Sequence, residues 1–169
     1  MKLNLGCGNK RKEGFLGVDK FRSEASDIIA DLEEKLPFEE YSINEIWMDN
    51  LIEHIRDVPN LMKEIHRICI NGAKITIFTP HFSSLASWRD PTHFHHLSYF
   101  SMNHFEKKDV LYYTGGGFKV IDRRLTFGGI LGNIGRLIFM VSPREYESNW
   151  CFVFRASTLK FVLEVIKKE

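Results

Sequence analysis

The sequence predicts an α/β fold: a mostly parallel sheet with an antiparallel edge strand, shortened at the N-terminus. Three observations carry this reading. Short apolar runs in the first half each stop at glycine or an acid, one strongly periodic helix separates two of them, and two strand-like runs lie near the end of the chain.

The first run, residues 2–5, opens into Gly6-Cys7-Gly8, the second, 15–18, stops at Asp19, and the third, 27–30, stops at Asp31. A fourth strand over 43–48 ends at Asp49-Asn50, and a fifth over 73–78 ends at Thr79-Pro80-His81. Between the fourth and fifth, Pro59 in a first turn and apolar Leu61, Met62, Ile65, Ile68 and Cys69 at helical spacing predict a helix stopped by Asn71-Gly72. An aromatic and histidine-rich loop fills 82–100. Ser101 is then placed to cap a helix toward Tyr113, with Gly115-Gly116-Gly117 as its stop. Residues 118–121 and 150–154 are expected as strands, the apolar insert 127–141 as a buried helix with glycines at close contacts, and 158–168 as a closing amphipathic helix.

A chain of 169 residues, 44% hydrophobic and 27% charged, is expected to form one domain over 1–169. A formal charge of +1 advertises neither nucleic acid nor an anionic surface at the level of the whole chain. Cys7, Cys69 and Cys151 are odd in number and lack metal or disulfide spacing, which points to a reducing compartment and the cytoplasm. The apolar stretch 127–141 carries Arg136 and falls short of the ~20 residues a membrane span needs. The opening residues leave no room for an export signal.

In an open parallel sheet, ligands bind at the carboxyl ends of the strands, so the polar residues there are the informative ones. Glycines after the first strand let the backbone approach a ligand, and a carboxylate at the end of the second can accept from vicinal ribose hydroxyls. Alone, each is also an ordinary turn or a solvated strand end.

Taken in order, Leu3-Asn-Leu-Gly-Cys-Gly8, Gly17-Val-Asp19, Ala30-Asp-Leu-Glu-Glu-Lys-Leu-Pro-Phe38, Asp49-Asn-Leu-Ile-Glu-His-Ile55 and Lys63-Glu-Ile-His-Arg-Ile68 with Asn71-Gly-Ala-Lys-Ile-Thr-Ile77 are more specific. Together they resemble the class I S-adenosylmethionine-dependent methyltransferases with a Rossmann-like fold, in the broad small-molecule group that carries an "LPF" and an "EHI" segment. The resemblance covers roughly residues 2–120. It implies that Gly6, Cys7 and Gly8 line the methionine part of S-adenosylmethionine, with backbone amides near its carboxylate. By the same resemblance Asp19 holds the ribose, Asp31 and Leu32 bracket the adenine, and Asp49 and Asn50 border the amine and the reacting methyl. His54, one helical turn beyond Asn50, shares its face. Asp31 as a helix cap and His54 as a packed structural histidine stay open as plainer readings.

Two departures from the family pattern stand out. Only eight residues, 9–16, separate Gly8 from Gly17, against the ~10 to 12 a parallel crossover normally takes, so the first crossover helix is expected to be vestigial or absent. The chain also begins almost at its first strand, without the N-terminal helices that cover the cofactor in many members.

On the acceptor side, the sulfonium methyl is already electrophilic, so the protein's work is to position an acceptor, exclude water and remove a proton where needed. The segment Asp90-Pro-Thr-His93 recurs in the group, which makes His93, His81 and His54 the candidate bases, with His95 and His96 beside them and Arg89 a contact for an anionic acceptor. Histidines in adjacent and alternate positions do not form an established ligand spacing, so no metal is expected. No Asp/Asn-Pro-Pro-Tyr segment follows the fourth strand, which weighs against a flipped nucleic-acid base as acceptor. The insert 127–141 is alternatively a lid, an apolar acceptor pocket or a homodimer surface.

The reading is a methyltransferase acting on an oxygen or nitrogen of a small molecule. Its alternative is a non-catalytic binding or partner module that keeps the nucleoside pocket. A nicotinamide enzyme is disfavoured because Gly6-Cys7-Gly8-Asn9-Lys10-Arg11 lacks the third glycine of GxGxxG.

Overall fold

The computed structural model describes residues 1–106 and 117–167. Its strands are β1 (Lys2–Leu5), β2 (Leu16–Asp19), β3 (Ile28–Ile29), β4 (Ile43–Asp49), β5 (Cys69–Pro80), β6 (Phe118–Phe127) and β7 (Ala156–Val165). They form one sheet in the order β3-β2-β1-β4-β5-β7-β6. The first five strands are parallel, and β7 pairs antiparallel with both β5 and β6. The expected parallel sheet with an antiparallel edge is present.

No helix joins β1 to β2, β2 to β3 or β3 to β4; turns make all three connections. The first connection lies over one face of the sheet. Asn4 Nδ2 donates to the Lys10 carbonyl at 3.1 Å, and the Lys12 ammonium sits 3.6 Å from the centre of the Trp47 ring, itself 4.9 Å from Phe78. Elsewhere that face is polar, as in the Lys2–Glu45 pair at 2.8 Å. The opposite face is apolar: Leu3, Ile46 and Ile75 are in register and fully buried, as are Leu5, Met48 and Ile77 beside them.

Helix α1 (Val58–Ile68) forms as expected. Asp57 caps it by accepting from the Asn60 amide at 2.9 Å, Pro59 sits in the first turn, and Val58, Leu61, Met62, Ile65 and Ile68 form its buried stripe. The expected stop at Asn71-Gly72 is corrected. The helix ends at Ile68, and Asn71 and Gly72 lie within β5, where the pairing with β4 shifts register.

Three further expectations are corrected in the last third. The closing helix expected over 158–168 is a strand as far as Val165: Leu159, Phe161, Leu163 and Val165 are buried at period two, the signature of a strand. Residues 150–154 are not a strand. They complete a helical hook, Pro143–Glu145 followed by Tyr146–Trp150, whose buried Tyr146 donates to the Phe154 carbonyl at 2.8 Å. The insert does form a helix, α3 (Gly129–Val141), but only Gly132 and Gly135 of it are buried. Ser101–Phe105 is a short 3-10 turn, and the rest of the helix expected toward Tyr113 lies outside the described residues.

Candidate functional site

Strand tips β1, β2, β3 and β4 and the loop after β5 enclose an open cleft of about 700 Å3. Gly6, Asp19, Asp31, Leu32, Asn50 and His54 all line it, brought together from four separate stretches of sequence. Lys20, Phe21, Glu33, Arg56, Thr92 and Phe94 complete much of the wall. Glu33 and Thr92 lie inside motif segments, and Lys20, Phe21, Arg56 and Phe94 lie within two residues of one.

Asp19 is held by the backbone. Its Oδ2 accepts from the Gly8 amide at 2.8 Å and its Oδ1 from the Phe21 amide at 2.9 Å, which fixes the carboxylate at the tip of β2. Each oxygen keeps a further acceptor site, so the group can still receive hydroxyl donors from the cleft. Asp31 accepts from Lys20 Nζ at 2.8 Å and from the Glu33 amide at 3.1 Å. The Lys20 bond, with the Glu33 amide adding to it, holds the Asp31 carboxyl below the usual range. Leu32 is nearly buried beneath it and belongs to the main core.

The expected amide cradle is corrected. The Gly6 and Cys7 amides both donate to the Val18 carbonyl, at 2.8 and 3.3 Å, and the Gly8 amide is taken by Asp19. The short connection to β2 draws the turn onto that strand, so none of the three amides is open to a ligand carboxylate. Cys7 is buried, and burial, with the Asp19 charge adding, pushes its thiol up. Cys7 and Asp49 face a second, smaller recess of about 200 Å3 that shares Gly6 with the main cleft and is otherwise walled by Asn4, Lys10, Arg11 and Trp47, among others. Lys10 Nζ stands 3.5 Å from Asp49 there.

Asn50 has φ of 52°, a left-handed conformation uncommon outside glycine, at the point where β4 leaves the sheet. Its amide donates to the Phe78 carbonyl at 2.9 Å and its side chain donates to Asp49 Oδ1 at 3.0 Å. The 3-10 turn Ile52–His54 follows directly and turns His54 into the cleft.

His54 Nδ1 lies 3.0 Å from Thr92 Oγ1 and 3.3 Å from the Thr92 carbonyl. The His93 ring packs edge-on against it at 4.5 Å, with His93 Nδ1 2.9 Å from the Ser87 carbonyl. Behind both, Glu53 is 1% exposed, and neither of its carboxylate oxygens makes a hydrogen bond. Burial pushes its carboxyl up, offset in part by its own backbone amide and by the Thr79 hydroxyl, which falls short of a hydrogen bond. Glu53, His54 and His93 each offer a ligand atom within 4.8 Å of the others, a grouping that no local spacing in the sequence reveals.

His81 is not brought to this cleft. It is fully buried, between Ser83 Oγ at 2.8 Å and Glu147 Oε1 at 2.9 Å, and so ties the loop after β5 to the hook. His96 stacks on Trp88 at 3.7 Å, and His95 Nε2 lies 3.2 Å from the Arg56 carbonyl; neither lines the cleft. Arg89 is exposed at the end of α2 (Leu85–Arg89) and also lies outside the lining.

Residues 8–77 match the model of a methyltransferase domain family. The YcgJ protein of Bacillus subtilis has a similar structure, with a TM-score of 0.63 over 99% of this chain and 92% of its own, at 13% identity. An S-adenosylmethionine-dependent methyltransferase from Mesorhizobium loti gives 0.62 over 96% and 89%, at 15% identity. One from Archaeoglobus fulgidus gives 0.62 over 96% and 85%, at 18% identity. No curated protein matches the sequence.

Proposed function

We propose that the chain is a class I S-adenosylmethionine-dependent methyltransferase that transfers a methyl group to an oxygen or nitrogen of a small-molecule acceptor, a reading supported by its fold and by the methyltransferase-domain match over residues 8–77. One observation carries the reading: Asp19, Asp31 and Asn50, at the tips of β2, β3 and β4, meet Gly6 of the first turn in one cleft with an apolar floor at Leu32.

When bound, S-adenosylmethionine supplies an electrophilic sulfonium methyl. Asp19 is the group for the ribose hydroxyls, Asp31 and Leu32 for the adenine, and Gly6, Cys7, Gly8, Asp49 and Asn50 for the methionine end. With the turn amides already engaged, Lys10, beside Asp49, is the cation for the methionine carboxylate. His54 is the candidate base: Thr92 holds its Nδ1, which leaves Nε2 for the acceptor's proton. His93 and Glu53 position it from behind. The three free buried cysteines support a reducing, cytoplasmic setting.

Isothermal titration tests the cofactor assignment. S-adenosylmethionine and its demethylated product are expected to bind, and Asp19→Ala to weaken both by about tenfold or more. Absence of binding by either ligand up to ~1 mM rejects the proposal. The engagement of all three turn amides favours a second reading, a non-catalytic module that retains a nucleoside pocket. Transfer of labelled methyl onto any acceptor in a metabolite extract, abolished by Asp19→Ala, excludes that reading.

A further inference from the structure

Helix α3 is built inside out. Its small residues face the protein and its large ones face away. A Cβ on Gly135 would stand 2.6 Å from the Phe154 carbonyl oxygen, and one on Gly132 would stand 3.3 Å from Phe127 Cβ, so the helix lies flush on these two segments through its glycines. Only Ile138 and Phe139 join the small cluster around Tyr146. Ile130, Leu131, Leu137, Met140 and Val141 point outward, and with Phe152 beyond the hook they are between 62% and 87% exposed. Contiguous apolar surface of this kind marks a site of interaction.

Charge identifies the occupant. From Gly129 to Arg155 the chain carries three arginines and two glutamates, and Glu147 is drawn inward by His81, Ser98 and the Tyr99 amide, which leaves Glu145 as the exposed acid of this stretch. Arg136 and Arg144 are exposed in and beside the helix. Arg155, also exposed, lines a recess with Trp88, Leu85 and Phe152 next to the hook. Trp150 is partly exposed between them. An apolar face bordered by arginine and tryptophan, on a helix of 13 residues that is too short to span a bilayer, has the composition of an element lying in a membrane interface. A second copy of the chain fits less well, because a twofold contact sets the three arginines of each copy against those of the other with only Glu145 exposed among them to pair.

We propose that α3 and the hook dock the protein on a lipid bilayer with anionic headgroups, the aliphatic side chains entering the interface and Arg136, Arg144 and Arg155 meeting the phosphates. The face is separate from the cleft, and the proposal stands whether or not methyl transfer does.

Co-sedimentation of the full chain with vesicles tests it, comparing phosphatidylcholine alone with phosphatidylcholine containing ~30% phosphatidylglycerol. The expected result is binding to the anionic vesicles, weakened about tenfold or more by Leu137→Glu. Arg136→Gln and Arg144→Gln should each weaken it by about fivefold. All three positions are exposed and outside the cleft, so circular dichroism and S-adenosylmethionine titration report whether each variant stays folded. Two results overturn the proposal: no binding to either vesicle, or binding that Leu137→Glu leaves unchanged. If the wild-type chain is dimeric in sedimentation velocity, Leu137→Glu makes it monomeric and no vesicle binding is seen, the face belongs to a second copy instead.

Discussion

The strand-tip cleft and the α3 flap each depend on a glycine that lets two chain segments touch, and each uses that contact differently. At Gly17 a Cβ would stand 1.9 Å from the Ala25 carbonyl oxygen, and the close approach folds the 20–27 turn against β2, next to Asp19. At Gly135 the contact seats a helix whose free side is apolar. In the cleft, tight packing gathers polar atoms toward an opening. In the flap, it leaves room inside for Ile138 and Phe139 and displays the other large side chains outside. A glycine at a close contact therefore says that two segments meet; the residues flanking it say what the meeting is for.

The largest expected effect falls on the cleft side. Gly17→Ala drives a methyl into a backbone carbonyl that the Gly17–Asp27 hydrogen bonds hold in place, the Gly17 amide donating to Asp27 Oδ2 and the Asp27 amide donating to the Gly17 carbonyl, both at 2.8 Å. We expect a loss of roughly 3 kcal/mol or more in urea unfolding, together with loss of S-adenosylmethionine binding. A variant as stable as wild type would show that the turn adapts and that the contact is not a constraint.

Gly135→Ala comes next, at about 1 to 2 kcal/mol, because the added methyl meets the Phe154 carbonyl at the edge of the fold, where α3 packs on the end of β6 and not on the main core. Hydrogen exchange should rise over 129–154 while cofactor titration stays at the wild-type value. A parallel drop in cofactor affinity would mean that flap and cleft are coupled.

The smallest effect is a pH dependence confined to the cleft side. Burial raises the Glu53 carboxyl, so the folded chain holds that proton more tightly than the unfolded chain does. Wild-type stability contributed by this group is therefore present below the ordinary carboxylate range, near ~4.3, and is lost as pH rises through the folded value. Glu53→Gln lacks the ionisation, so the difference between their urea midpoints should shift in favour of the glutamine variant as pH increases. Parallel midpoints across that range would indicate that the carboxylate finds compensation in solution.

The parts of the molecule legible in the sequence are those whose signals are local. Gly6, Asp19, Asp31 and Asn50 each follow an apolar run, and the parallel sheet places run ends side by side, so reading the punctuation found one wall of the cleft. The engagement of the turn amides is not legible there, because hydrogen bonds from Gly6 and Cys7 to Val18 depend on how tightly an eight-residue connection is drawn in. Strand β7 resembles a helix because Lys160 and Glu164, four apart, look like a helical pair, while its true period of two is blurred by Val162 on the other face. The outward face of α3 was hidden for a different reason. An apolar helix with glycines has the same composition whether it is buried or displayed, and only its neighbours decide. The grouping of Glu53 and His54 with His93 spans some forty residues and carries no pattern that a single sequence could show.

The sheet order has one more consequence. Strand β7 lies between β5 and β6, so during synthesis β6 leaves the ribosome with no neighbour to join until Ala156–Val165 has followed it. Until then the growing chain presents the unsatisfied edge of β5 and a lone ribbon, both open to mispairing with other nascent chains. Release before that last ribbon is made would leave a product that cannot close its own sheet, whatever the state of the cleft at the other end.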